Sequence, residues 1–206
     1  MKTRLVPTLS SKLAADLALA LLDDTVAKCR LEVGFETILC VAPPDSVSWF
    51  EERYASVARI VPQVGDGLGE RLANLFEREL SVPGRTLVAI GSDAPHIPSD
   101  VCREAHERLE RGAGLVVGLD DGGGYHLIGM SAPHAELFTG VPMSSSNMGE
   151  RTVRMARSMG LVVEFVERAF DIDEPADMQR LVELIGRDRQ LAERLPHTAA
   201  FFARTL

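Results

Sequence analysis

Short apolar runs alternate with amphipathic helical patterns along most of the chain. The runs end at proline or glycine and suit strands buried on both faces; they span residues 37–41, 86–90 and 115–117, with later candidates at 125–130 and 162–166. Between them, apolar residues recur at i, i+3 and i+4, which predicts helices over residues 69–79, 99–111 and 147–159. The alternation predicts an α/β fold with a mostly parallel sheet between two layers of helices.

Both ends of the sequence have helical patterns. Ser10 is a good N-cap residue for a first helix with one buried stripe, and the pattern is helical from Glu174 onward with a break at Pro196. No repeat, low-complexity tract or long linker divides the sequence. We therefore predict one domain over residues 1–206, with a helical C-terminal tail over about 174–206.

Composition and charge exclude several classes of function. The 206 residues are 46% hydrophobic and 25% charged, and the net charge of −8 offers no basic surface for nucleic acid or an anionic membrane. The longest strictly apolar run has six residues, against the roughly 20 of a membrane-spanning helix, and no signal-peptide core follows Met1. We expect a cytoplasmic protein whose three cysteines are reduced. Phe201 and Phe202, if exposed, would indicate a homodimer contact.

Two acidic motifs follow or flank predicted strands. Asp93 follows the run at 86–90, and Asp173 lies in an Asp-Ile-Asp-Glu-Pro-Ala-Asp motif at 171–177. Asp93 could simply begin a turn, and Asp173 could simply cap a helix. Together, however, two carboxylates at one sheet edge could hold Mg²⁺ or Mn²⁺ and neutralise a nucleotide diphosphate.

A glycine-rich loop lies between the runs at 115–117 and 125–130. Its glycines, including Gly123, allow close backbone approach to a ligand, while Asp121 and Tyr125 can hydrogen-bond a polyhydroxyl acceptor. A flexible hairpin is the alternative interpretation, although a tight hairpin needs only one or two glycines.

Two further segments could bind phosphate. Gly67, Gly69 and Arg71 lie in a glycine-rich strand-to-helix loop whose amides could hold a base, ribose or phosphate. Lys2 and Arg4 could add two cations at the amino end, although a frayed basic terminus is the ordinary alternative.

These motifs, in this order over residues 1 to about 180, resemble a bacterial family of GT-A-type nucleotide-diphospho-sugar transferases, the glycosyltransferases associated with radical-SAM or arsenosugar gene clusters. The resemblance implies a Rossmann-like fold, a divalent metal held by Asp93 and Asp173, and a nucleotide-linked donor. It also implies that Gly67, Gly69 and Arg71 contact the donor nucleotide and that Lys2 and Arg4 contact phosphate. The acceptor side of the cleft would then include the residues Asp121, Gly123 and Tyr125.

The Lys-Thr-Arg-Leu opening and the Asp-x-Asp-x-Pro-x-Asp motif also resemble phospholactate guanylyltransferases and, more remotely, molybdenum cofactor guanylyltransferases. Three hypotheses follow. The first is a metal-dependent glycosyltransferase that acts on a small acceptor, with Asp121 as a base. The second is a nucleotidylyltransferase that acts on a phosphorylated acceptor, and the third is a nucleotide-binding module without catalysis.

Two segments depart from the pattern of these families. Both families have a hydrophobic strand and a Gly/Pro-containing loop before the Lys-Thr-Arg-Leu segment, which here directly follows Met1. We expect either a natural start upstream or a depleted donor site, and we favour the first because loss of a central strand would expose two strand edges. The segment 142–147 also replaces a Trp-Ser-Thr-Asp-like stretch, so acceptor choice is left open.

Overall fold

Helices and strands alternate along the chain in the computed structural model, which describes residues 3–6, 8–140 and 147–205. The strands are β1 (Ile38–Val41), β2 (Arg59–Pro62), β3 (Leu87–Ile90), β4 (Leu115–Leu119), β5 (Tyr125–Met130) and β6 (Val163–Phe165). The helices are α1 (Ser11–Cys29), α2 (Val47–Tyr54), α3 (Leu68–Glu79), α4 (Val101–Glu110), α5 (Glu136–Thr139), α6 (Met148–Ser158), α7 (Pro175–Arg187), α8 (Arg189–Arg194) and α9 (Pro196–Thr205), with short 3₁₀ helices at Thr3–Leu5 and Pro44–Ser46. None of the described helices is long and apolar enough to cross a membrane.

The strands form two sheets. β1 pairs with β2 in parallel, and the larger sheet has the order β3-β5-β4-β6. In the larger sheet β4 and β6 are parallel, while β5 runs antiparallel to both of its neighbours. The sheet is thus mixed, with β5 as the reversed strand.

His106 on α4 brings together the amino ends of β1 and β3. Phe35, just before β1, packs edge-on against the His106 ring with 5.2 Å between ring centroids. Thr86, just before β3, places its Oγ1 2.8 Å from Nδ1 of the same histidine. Among the described residues, no strand lies between β1 and β3. A cavity of about 1770 Å³, here called the interstrand cavity, lies between them and is also lined by α1 and α3.

Helices cover both faces of the larger sheet. On β4, the side chains of Leu115 and Val117 pack into one apolar cluster, and that of Val116 packs into another. The first cluster joins the sheet to α3, α5 and α6, and the second joins it to α4. This alternation gives the three-layer α/β/α arrangement expected from the sequence.

The C-terminal helices pack on α1 in a third cluster, together with Leu5. Phe201 and Phe202 are 2% and 6% exposed within it, so this aromatic pair fills the core instead of offering a dimer surface. Asp24 of α1, itself 1% exposed, accepts the backbone N–H groups of His197 and Thr198 at 3.1 and 2.8 Å. It thereby caps α9 from a distant part of the chain.

Candidate functional site

The candidate site lies where β3 ends at the interstrand cavity. The N–H of Gly91 donates to the carbonyl oxygen of His126 at 2.9 Å, which is the last β3–β5 bond before the chain turns away. Ser92 and Asp93 follow and line the cavity. Asp93 lies three residues beyond the carboxyl end of β3, which is the edge at which α/β sheets bind their ligands.

One backbone hydrogen bond joins the two acidic motifs. The N–H of Ile172 donates to the carbonyl oxygen of Asp93 at 2.9 Å. Ile172 is fully buried, so Asp171 and Asp173 flank an anchored residue, and Asp171 lines the interstrand cavity with Asp93. Asp173 was predicted as a site residue from the sequence, whereas Asp171 was not. The polar–apolar–polar pattern at 171–173 was the signal that could have found it.

Asp173 lies beside the amino-terminal cation. Its Oδ2 is 3.7 Å from the guanidinium of Arg4, and both side chains are partly exposed. The next acidic residue, Asp177, accepts the N–H groups of Asp173 and Glu174 at 3.2 and 2.8 Å. Asp177 therefore caps α7. Lys2 lies outside the described residues, as does most of the segment 142–147.

The loop before α3 folds around Arg71. The Arg71 guanidinium donates to the carbonyl oxygen of Gly65 at 2.9 Å and to Oε1 of Gln63 at 3.1 Å, and the side chain lines the interstrand cavity. Gly67 is the N-cap residue of α3, and Gly69 is buried in its first turn. The predicted donor loop thus brings a fixed cation to the same cavity as Asp93.

The glycine-rich loop is held in place by its own first residue. Asp120, 6% exposed, accepts the N–H of Gly124 at 2.9 Å, and Gly123 has a φ of +88°, a conformation that favours glycine. Tyr125 follows on β5 and lines the interstrand cavity. Its hydroxyl is buried without a hydrogen-bond partner among the described residues, and burial raises the pKa of Tyr125. Tyr125 is therefore a neutral donor at physiological pH.

Asp121, in the same loop, pairs with two arginine side chains. Its carboxylate is 2.8 Å from the guanidinium of Arg180 and 4.0 Å from that of Arg168. Arg180 also lies 3.8 Å above the centre of the Phe170 ring. Asp121 thus ties the loop to α7, and its role as a base stays a prediction.

The two histidines beside these motifs have structural surroundings. The Nε2 atom of His126 is 2.9 Å from the carbonyl oxygen of Glu167, and the residue is 2% exposed. The His96 ring stacks on Phe170 with 4.1 Å between centroids. Burial lowers the pKa of both histidines, that of His96 to about 4, so both are neutral near pH 7.

The acidic groups suit one kind of metal ion. Among the described residues, no cluster of three or more His, Cys, Asp or Glu side chains could hold a metal ion. Asp93 and Asp171 nevertheless line one cavity, and Mg²⁺ is ordinarily bound through one or two carboxylates, with water and substrate phosphates completing its coordination. Two carboxylates at one cavity match the number that such an ion ordinarily takes from a protein.

Comparison with known proteins gives one family and several similar folds. A family model described as "Uncharacterized protein conserved in bacteria (DUF2064)" matches residues 25–145. Phosphoenolpyruvate guanylyltransferase of Sphaerobacter thermophilus is 28% identical over 184 residues, which cover 87% of this chain and 86% of that protein.

Solved structures share the fold. A crystal structure from Desulfovibrio desulfuricans G20, assigned provisionally as a nucleotide-diphospho-sugar transferase, matches with a TM-score of 0.85 and 22% identity over 99% of this chain and 91% of its own. 4-Diphosphocytidyl-2C-methyl-D-erythritol synthase matches with a TM-score of 0.58 and 12% identity over 78% of this chain and 88% of its own. CMP:2-keto-3-deoxy-manno-octonic acid synthetase, solved with CTP, matches with a TM-score of 0.54 and 11% identity over 81% of this chain and 88% of its own. The fold is that of the nucleotide-diphospho-sugar transferases, as the sequence resemblance implies.

Proposed function

The chain belongs to the DUF2064 family of bacterial proteins, and from that premise and the site we propose that it is a metal-dependent nucleotidylyltransferase acting on a small phosphorylated acceptor. The observation that carries the proposal is the joining of two acidic motifs by the Ile172–Asp93 hydrogen bond, at a cavity that also contains Arg71. Carboxylates and a guanidinium at one sheet edge suit a nucleoside triphosphate and its metal ion.

The sequence relative favours nucleotidylyl transfer over sugar transfer. The guanylyltransferase is similar over most of both chains, whereas the match to the nucleotide-diphospho-sugar transferase has lower identity and supports the fold alone. Sugar transfer is the first hypothesis from the sequence alone. The similarity to a named guanylyltransferase is the reason for reversing that order.

The reaction would be an in-line displacement at the α-phosphorus. An oxygen of the acceptor phosphate forms a bond to the α-phosphorus as the bond to the bridging α–β oxygen breaks, and pyrophosphate leaves with that electron pair. No proton need be removed from an ionised acceptor phosphate, so this chemistry requires no base at Asp121. It requires stabilisation of charge on the leaving pyrophosphate.

Four described residues would serve that requirement. Asp93 and Asp171 would hold the divalent ion, Mg²⁺ or Mn²⁺, which supplies charge neutralisation for the phosphates when bound. Arg71, and Arg4 beside Asp173, would donate charge-assisted hydrogen bonds to phosphate oxygens. Gly67 and Gly69 would contact the nucleotide, and Lys2 would be a further phosphate contact. Gly123 and Tyr125 would form the acceptor side.

Sugar transfer is the second candidate. The order of the motifs over residues 1 to about 180 resembles that of glycosyltransferases, which favours retaining this candidate. In that reaction an acceptor hydroxyl would attack the sugar carbon and a nucleoside diphosphate would leave. Asp121 would then be the candidate base. The two reactions release different products, pyrophosphate and nucleoside diphosphate.

Product analysis tests the proposal. The purified chain is incubated with GTP, CTP, UTP or ATP and MgCl₂ or MnCl₂, with phosphoenolpyruvate or phospholactate as acceptor, and pyrophosphate is measured. UDP-glucose and GDP-mannose with the same acceptors and with glycerol provide the sugar-transfer arm. We expect metal-dependent pyrophosphate release that is lost in EDTA. Nucleoside diphosphate release from the sugar nucleotides alone would contradict the proposal in favour of glycosyl transfer.

A matched pair of variants links the activity to the site. Asp93→Asn should lower kcat/KM at least about 100-fold, because a metal-binding carboxylate is lost while the residue volume is kept. The control Asp100→Asn changes an exposed aspartate at the start of α4 and should leave activity unchanged. Equal activity of Asp93→Asn and wild type would contradict the assigned site. Nucleotide-dependent thermal stabilisation without any product would instead favour the binding module.

A further inference from the structure

We propose that a second cavity, formed by the segment after Asp93, the segment before Asp171 and helix α8, binds a small zwitterion of the α-amino acid class. This cavity has a volume of about 250 Å³ and is here called the α8 cavity. It shares no lining residue with the interstrand cavity. The inference concerns binding alone and holds whichever group the protein transfers.

Three segments form the walls of the α8 cavity. They follow β3, follow β6 and include the end of α7 with α8, and the lining residues are His96, Ile97 and Pro98, then Glu167, Arg168 and Ala169, then Leu184, Asp188, Leu191 and Arg194. Ile97, Ala169 and Leu191 are buried in the core. The apolar part of the lining is therefore fixed by packing.

Four charged side chains line the α8 cavity, and their charges balance. Arg168 and Arg194 are positive, Glu167 and Asp188 are negative, and all four residues are exposed. A simple anion would be attracted by one pair and repelled by the other. Equal numbers of both signs favour a ligand that itself carries both charges.

Two of the four charged groups already have partners. Arg168 donates to the carbonyl oxygen of Asp120 at 3.0 Å, and Asp188 accepts two backbone N–H groups of α8. No ion pair or hydrogen bond joins the side chain of Arg194 or Glu167 to another described residue. A guanidinium and a carboxylate thus line one cavity without pairing, and a zwitterion would pair with both.

A third polar group at the α8 cavity is the imidazole of His96. Its Nδ1 atom is buried without a hydrogen-bond partner among the described residues, and its neutral ring donates or accepts one hydrogen bond at this atom. An unpaired buried nitrogen costs free energy. A zwitterion bound beside the ring would offer it a partner from either charged end.

The volume of the α8 cavity limits the size of the ligand. About 250 Å³ is below the roughly 300–1,000 Å³ of pockets for drug-sized molecules, so a few non-hydrogen atoms would fill it. The carboxylate of an aliphatic α-amino acid would pair with Arg194, and its ammonium group with Glu167. Its side chain would pack on Leu184 and Leu191.

The α8 cavity is linked to both acidic motifs through the backbone. His96 lies three residues after Asp93, and Arg168 lies three residues before Asp171. The hydrogen bond from Ile172 to Asp93 joins the same two segments. A ligand held between them would therefore restrain the spacing of the two carboxylates that face the interstrand cavity.

Thermal unfolding of the 206-residue chain with L-leucine and its two half-ligands tests the requirement for both charges. 4-Methylpentanoate lacks the ammonium group of leucine, and 3-methylbutylamine lacks the carboxylate. We expect L-leucine at roughly 10 mM to raise the Tm by at least about 2 °C, and neither half-ligand to do so. An equal shift with either half-ligand would overturn the proposal, as would the lack of a shift with L-alanine, L-valine and L-leucine alike.

Two variants locate the bound amino acid. Glu167→Gln and Arg194→Gln should each weaken L-leucine binding at least about tenfold, as measured by calorimetry. Glu167→Gln keeps the backbone carbonyl that lies 2.9 Å from Nε2 of His126. The control Arg189→Gln changes an arginine of the same helix that pairs with Glu193 and should leave the affinity unchanged. Unchanged affinity in either test variant would overturn the proposal.

Hydrogen exchange provides a readout independent of affinity. Bound L-leucine should slow exchange of the amides of Ala169 and Ile172 at least about threefold, because both belong to the segment that the ligand would restrain. The amides of α2 serve as the unchanged control. Equal exchange of Ala169 with and without L-leucine would place the ligand outside the α8 cavity and overturn the proposal.

Discussion

Asp24 links two parts of the chain that are about 170 residues apart in sequence. Its carboxylate, buried on α1, accepts two backbone N–H groups at the start of α9. Those groups would otherwise be unpaired at a buried helix end, which costs free energy. One side chain thus positions the C-terminal helices on the first helix.

Replacement of Asp24 by alanine should lower the free energy of unfolding by about 2–3 kcal/mol, because two charge-assisted hydrogen bonds and a helix cap are lost. Urea unfolding followed by circular dichroism measures the change. Asp16→Ala is the control, since Asp16 is exposed and pairs with the exposed Lys12 at 3.5 Å, so its replacement should change stability little. Equal stability of the two variants would show that Asp24 does not hold α9.

His96 makes stability depend on pH. Burial, reinforced by the charges of Lys28 and Arg180, lowers its pKa from 6.5 to about 4 in the folded protein. The unfolded chain therefore binds more protons between these values. The contribution of neutral His96 is complete above pH 6.5 and is lost progressively as the pH falls toward 4.

His96→Phe should reduce the loss of Tm between pH 6.5 and 4, because the stack on Phe170 is kept and the titrating group is removed. Thermal unfolding at half-unit pH steps measures this, with His134→Gln, which changes a partly exposed histidine, as control. A pH profile identical to that of wild type would assign the acid sensitivity to other groups. His126, whose pKa is also lowered, is the first of these to examine.

At the residue scale, the sequence was most informative about candidate residues near the ends of strands and in glycine-rich loops. The apolar run at 86–90 led to Asp93 and the glycine-rich loop before α3 led to Arg71; both line the interstrand cavity, and their roles stay predictions. Asp121 could not be placed from the sequence, because its direction depends on Arg180 and Arg168, which are distant along the chain. Asp171 was missed because its significance depends on the burial of its neighbour Ile172.

At the element scale, α6 docks on the glycine-rich loop with almost no space between them. The N–H of Gly149 donates to the carbonyl oxygen of Gly123 at 2.9 Å. A Cβ atom at Gly149 would lie 2.5 Å from the carbonyl oxygen of Gly124 and 2.6 Å from the Leu119 side chain. The helix start thus fixes the loop that precedes Tyr125.

Gly149→Ala should therefore destabilise the protein by about 1–3 kcal/mol, because backbone atoms must move to accept the new methyl group. Gly186→Ala is the matched control: Gly186 lies in α7 with nothing within 4 Å of its added Cβ, so alanine should stabilise the helix by up to about 1 kcal/mol. Chemical denaturation of both variants measures the difference. A stabilising Gly149→Ala would contradict the close docking.

Elements with continuous apolar runs were predicted within one or two residues. The run at 86–90 became β3 (Leu87–Ile90), and the run at 125–130 became β5 (Tyr125–Met130). β2 was missed because Arg59 is exposed and pairs with Glu36 and Glu79, so the strand lacks an apolar run. The reversed direction of β5 was not evident, since apolar runs do not encode strand direction.

At the scale of the whole molecule, the small β1–β2 sheet and the larger sheet face each other across the interstrand cavity. The side chain of His106 contacts Phe35 and Thr86 and so joins the amino ends of β1 and β3. Because the described strands share no ladder of hydrogen bonds between the two sheets, these sheets should unfold with reduced cooperativity. The prediction of a single domain is therefore open to a direct test.

Trp49 provides the probe, because it is the single tryptophan and lies on α2, between β1 and β2 in the chain. In the 206-residue chain, its fluorescence should change at a lower guanidinium concentration than far-UV circular dichroism. Coincident transitions would indicate one cooperative unit and would contradict separate unfolding of the two sheets.

The interstrand cavity also determines how the protein resists oxidation. Its walls include Cys29, Cys40 and Cys102, all of which are free thiols. Burial raises the pKa of each, that of Cys102 to about 12, so at neutral pH they are protonated and react slowly with peroxide or alkylating reagents. Any sulfenic acid formed there would place a polar group against apolar helices. Oxidation of any of the three thiols would therefore disturb the same cavity that Asp93 and Arg71 line.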